Sequence, residues 1–116
     1  MTDLHDVVTD LSAEGEELDR LVAGLDETRW ALPTPAPGWT IAHQIAHLAA
    51  TFRLAATAAA EPEAFAAITA RLSEDFDANV RGAMAPYLAE PPAMLLARWR
   101  AERDAAVAAL AAVPPN

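Results

Sequence analysis

Apolar residues recur at helical spacing along most of this chain. Leu4, Leu11, Leu18 and Leu25 repeat every seven residues, with Val7 and Val8, then Leu21 and Val22, on the turns between them. That stripe predicts a first helix over residues 3–25, with Asp3 as N-cap. The acidic Glu14, Glu16, Glu17 and Asp19 are expected mostly to face solvent. Alternate prolines at 33, 35 and 37 then remove backbone donors and fix an extended loop carrying Trp30 and Trp39, expected to pack over one end of the bundle.

Thr40 is a natural N-cap for a second helix over 41–59. Ile41, Ile45, Leu48 and Phe52 make one stripe of it, while His43, His47 and Leu54 fall nearly opposite. A helix apolar on most sides is usually buried on more than one, so the histidine face is expected to look into a pocket. Glu61-Pro62 breaks the chain. A short helix over 62–72 presents Phe65, Ile68 and Leu72. Ser73 then caps a further helix ending at Leu88, with Phe76, Val80, Met84 and Tyr87 inward. After Pro91-Pro92 a last helix over 93–112 carries Leu95, Leu96, Trp99, Val107 and Leu110, and Pro114 stops it.

The predicted fold class is therefore all-α, one domain over 1–116. Three long up-down helices are joined by a short bent helical excursion between the second and third. A three-helix antiparallel bundle leaves an apolar groove where a fourth helix would lie, and that fourth bundle helix is absent here.

Composition supports this reading. Hydrophobic residues make up 53% of the chain and roughly a quarter of it is Ala, the strongest helix former. The formal charge is −9 and the basic residues, all Arg, are scattered singly. No basic stripe exists to neutralise phosphates, so nucleic acid is excluded as a partner, and the acidic balance disfavours anionic membranes. His43, Gln44, His47 and Arg53 make the apolar 41–60 stretch unsuitable as a membrane span. With no basic, apolar leader at the start of the chain, a cytoplasmic location is expected. The absence of Cys removes disulfides, thiolate ligands and a cysteine nucleophile.

His43 and His47 are the residues most able to carry chemistry. Their i, i+4 spacing puts both imidazoles on one helix face about a turn apart, where they can chelate a divalent metal. Zinc normally takes three or four protein ligands, so a pair is not a site, and a packed or hydrogen-bonded pair has the same spacing. His5 is expected to be exposed. Glu102 and Asp104 can add ligands only if the last helix faces the histidines; otherwise they pair with Arg98, Arg100 or Arg103 at the surface. Trp39 and Trp99 read as lid or core residues.

The stretch from Pro33 through Pro37-Gly38-Trp39-Thr40 to Ala46-His47-Leu48 resembles the hallmark of the DinB-like superfamily, in the branch that includes mycothiol-dependent maleylpyruvate isomerase. Glu61-Pro62-Glu63-Ala64-Phe65 and Leu96-Ala97-Arg98-Trp99-Arg100 extend the likeness more loosely. More narrowly, the chain resembles an uncharacterised metal-binding subgroup of that branch. The resemblance implies a DinB-like bundle in which His47 is a ligand of a divalent metal, zinc first and nickel second, with His43 beside the site or a local substitute ligand. It also implies mycothiol as the thiol cofactor and a metal- and thiol-dependent isomerase or transferase activity. The family's remaining ligands lie on a fourth helix that nothing here matches, so the isolated chain is expected to be inactive. A homodimer through the exposed apolar groove could complete the site. The alternative is a non-enzymatic dimerisation or partner-binding module, in which a polar substitution such as Trp99→Glu in the groove would change the oligomeric state.

Overall fold

The computed structural model describes residues 4–113, with side chains from Asp6 onward. The expected Asp3 cap, the His5 side chain and the Pro114 stop lie outside the described residues. Within them the helices are α1 (Leu4–Ala23), α2 (Ile41–Ala60), α3 (Pro62–Ala70), α4 (Phe76–Leu88) and α5 (Pro92–Ala111), with one 3-10 turn at Arg29–Ala31. The all-α class, the three long helices and the bent excursion, here α3 and α4, stand as read from the sequence.

The core forms where α5 packs along α2. Ala46 and Ala49 of α2 are fully buried, and their small side chains let α5 come close enough to bury Leu95, Trp99 and Ala106. Met84 and Tyr87 of α4 close the other side of α2, and Val22 and Trp30 seal one end. Each large apolar side chain buried in this way contributes about 1.5–3 kcal/mol. Burial pushes the Tyr87 phenol above its ordinary pKa, and the nearby Glu102 carboxylate adds to the effect. The Tyr87 hydroxyl donates to Glu102 Oε2 at 3.4 Å, and the Arg98 guanidinium lies 4.6 Å over its ring.

α1 rests on α5 and makes no comparable contact with α2. It buries Val8, Gly15 and Val22 and leaves Val7 and Leu21 exposed, so one apolar flank has no partner among the described residues. Two corrections follow from this packing. Asp19, expected in solvent, keeps only 18% of its side chain exposed and binds α5. Its carboxylate accepts from Arg100 Nε and Nη2 at 2.8 and 2.6 Å and from Arg103 Nη1 at 2.9 Å. Gly15 makes room for that contact, because a Cβ there would stand 2.7 Å from Arg103 Cδ. Trp99 is fully buried, so Trp99→Glu would place a charge in the core and tests no surface groove.

The excursion also departs from expectation in detail. Asp75, not Ser73, caps α4, its Oδ1 accepting from the Ala78 N–H at 3.1 Å. Ser73 sits two residues earlier in a side-chain turn, accepting from the Asp75 N–H and held by Asn79. Phe76, expected inward, is 75% exposed because it extends the Val80–Met84–Tyr87 stripe past anything it can pack on. Ile68 and Leu72 are likewise largely exposed.

The Asp19 contact gives a pH-dependent prediction. The hydrogen bonds from Arg100, ahead of those from Arg103, hold its carboxyl below the usual value while burial opposes them. The unfolded chain therefore binds that proton more readily. The stabilisation is complete above the unfolded value of about 4 and is lost as pH falls through the lower folded one. Asp19→Asn is expected to cost about 2 kcal/mol at pH 7. The gap between the urea midpoints of the two proteins should narrow steadily as the titration is repeated below pH 4.

Candidate metal centre

The two histidines stand at the start of α2, where the proline loop delivers Trp39 onto them. Pro37-Gly38 forms a turn closed by the Trp39 N–H donating to Ala36 O at 3.1 Å. Gly38 takes φ +78°, a left-handed conformation that favours glycine. The Thr34 N–H and hydroxyl both donate to Trp39 O, at 2.8 and 2.9 Å, and the Ile41 N–H donates to Leu32 O at 3.0 Å. Gln44 Nε2 adds a bond from α2 to Thr34 Oγ1 at 3.3 Å. The loop is thus fastened to itself and to the helix it introduces.

Thr40 caps α2 as expected, accepting from the His43 N–H at 3.3 Å. The reciprocal half of the box is unexpected. His43 occupies the third helical position, and its Nδ1 accepts from the Thr40 N–H at 3.3 Å and lies 2.8 Å from the Thr40 hydroxyl. Glu or Gln usually fills that place. Reading Thr40-x-x-His43 as a variant of that pattern would have found it from the sequence.

The Trp39 indole contacts both imidazoles. It stacks on His43 with centroids 6.3 Å apart and meets His47 edge-on at 5.4 Å. Both histidines are half-buried. His43, Trp39 and Gly38 form one wall of an open groove of about 520 Å³, whose other wall is Arg81, Met84, Ala85, Leu88 and Ala89 along α4. Arg81 places a cation on the wall across the groove from His43, on a chain of net charge −9. Sequence reasoning did not single it out, because its place depends on how α4 crosses α2.

The sequence model for the mycothiol maleylpyruvate isomerase N-terminal domain matches residues 11–116. The chain belongs to this family. Two uncharacterised proteins of Mycobacterium tuberculosis, from strain CDC 1551 / Oshkosh and strain ATCC 25618 / H37Rv, are each 46% identical to it over 114 residues. The alignments cover 98% of this chain and 44% of each relative, so the chain spans less than half the length of the curated relatives it matches. No solved structure shows significant similarity to the chain.

Against the zinc expected from the sequence, the described residues offer two histidines and no closed donor set. His43 and His47 share the start of α2, but among the described residues no group of three or more His, Cys, Asp or Glu side chains is placed to hold a metal. Glu102 is engaged with Tyr87, and Asp104 pairs with Arg103 at 3.0 Å. A zinc site therefore does not close within the described residues alone.

Proposed function

We propose that this domain anchors a divalent metal, zinc first and nickel second, through His47. In this reading it belongs to the metal- and thiol-dependent isomerase or transferase type, with mycothiol as the thiol. The observation that carries the reading is the fastening of Trp39 across both imidazoles, beside a groove that Trp39 and His43 line. A ring so held loses little freedom when it accepts a ligand. The groove suits a small anionic molecule with an apolar body, which Arg81 attracts and Trp39, Met84 and Leu88 line. A chain without Cys depends on a small-molecule thiol for thiol chemistry. The remaining metal donors come from outside the described residues, and we place them on a second copy in a homodimer. The isolated chain is then inactive. Among the described residues no helix is long and apolar enough to cross a membrane, and we assign the protein to the cytoplasm.

The exposed Val7 and Leu21 on α1 favour a second reading, a helical module that binds a partner without metal. A zinc titration followed by tryptophan emission separates the two. Trp30 and Trp99 are buried, whereas Trp39 is half-buried against His47, so zinc is expected to change emission saturably and Trp39→Phe to abolish the change. Unchanged emission at millimolar zinc would favour the module.

A further inference from the structure

His43 and His47 are one turn apart on the same helix, yet their hydrogen bonding differs. The Thr40 main-chain N–H donates to His43 Nδ1 at 3.3 Å, which requires a lone pair on that nitrogen. A neutral ring in this state carries its proton on Nε2. The Thr40 hydroxyl can then donate to the same Nδ1 across 2.8 Å while its oxygen accepts the His43 N–H at 3.3 Å. In this tautomer the Thr40 N–H and hydroxyl share the single Nδ1 lone pair. It leaves no lone pair for a metal, because Nδ1 is occupied and Nε2 is protonated. The other tautomer frees Nε2 and turns the 2.8 Å contact into Nδ1–H donating to Thr40 Oγ1, but it takes away the acceptor of the Thr40 N–H at a helix start, where backbone donors have no intrahelical partner. The ring contact described for His47 is edge-on to Trp39 and involves no such bond to the cap.

We propose that His43 is a positioning residue. Through Nδ1 it holds Thr40 in the cap, and through Thr40 and ring stacking it holds the Trp39 indole against His47, leaving His47 as the ligand. The ligand half of this inference rests on the metal reading above; the capping half does not.

The test compares His43→Gln, His43→Ala and His47→Ala in urea midpoint, tryptophan emission and zinc affinity. Gln can restore the reciprocal half of the box. His43→Gln should keep the wild-type midpoint, shift the emission only slightly through loss of the ring stack, and hold zinc within a few-fold, whereas His43→Ala should lower the midpoint, shift the emission further and weaken zinc about tenfold. Loss of zinc in His43→Gln as complete as in His47→Ala makes His43 a ligand and overturns the proposal. So does an alanine variant with unchanged midpoint and emission, since no cap would then exist. Absence of zinc binding in the wild type sinks the metal reading, while the midpoint and emission still decide the capping role.

Discussion

Trp99→Ala is expected to lower stability by about 3–5 kcal/mol and the thermal midpoint by about 15 °C, read by far-ultraviolet circular dichroism. Trp99 is fully buried on α5 in the cluster that includes Ala46 and Ala49 of α2. Removing an indole from a wall of small residues leaves a cavity that helices already in close approach cannot collapse to fill. The Arg103 guanidinium 5.1 Å over the ring would also lose its partner, and that arginine belongs to the Asp19 contact that fastens α1. Trp99→Phe should cost much less than alanine. The indole Nε1 is buried without a hydrogen-bond partner among the described residues, so phenylalanine removes an unsatisfied donor while keeping most of the apolar volume. A cost for Trp99→Ala below about 1.5 kcal/mol would mean that α5 does not pack around this residue as described.

His47→Ala is expected to weaken zinc binding more than a hundredfold by calorimetric titration, while barely moving the urea midpoint. The two effects separate because His47 is half-buried, lies outside the core cluster and meets Trp39 only edge-on. Loss of a first metal ligand removes a coordination bond, whereas truncating a partly exposed side chain on a helix rich in alanine costs under about 1 kcal/mol. A variant that loses zinc only because it unfolds would show it in the midpoint.

The long helices were legible because their signals are local. Thr40 starts α2 where expected, and Pro62 and Pro92 stand at the first positions of α3 and α5. The apolar pairs between the leucines of α1 misled in part, since Val7 and Leu21 are exposed. Leu18 and Leu25 of the repeat do pack against the core, but among the described residues α1 rests chiefly on α5. The buried line therefore runs through Val8, Gly15 and Val22, while Leu21, apparently part of the stripe, is 67% exposed. Which flank of an apolar helix is covered depends on its partner, and no pattern within the helix encodes that.

The site was half legible for the same reason. The histidine pair and the Trp39 turn lie within a few residues of each other and could be read together. Asp19 with Arg100 and Arg103 joins positions about eighty residues apart, as does Gly15 with Arg103, and neither contact leaves a local trace. Arg81 and the groove likewise arise only when α4 crosses α2.

The central claim is that His47 anchors a metal. Its most direct test is the elemental metal content of the untagged protein and of His47→Ala, purified side by side and dialysed against zinc-buffered solution. The account predicts zinc in the wild type and none above background in the variant. Equal zinc in both, or none in either, would contradict it.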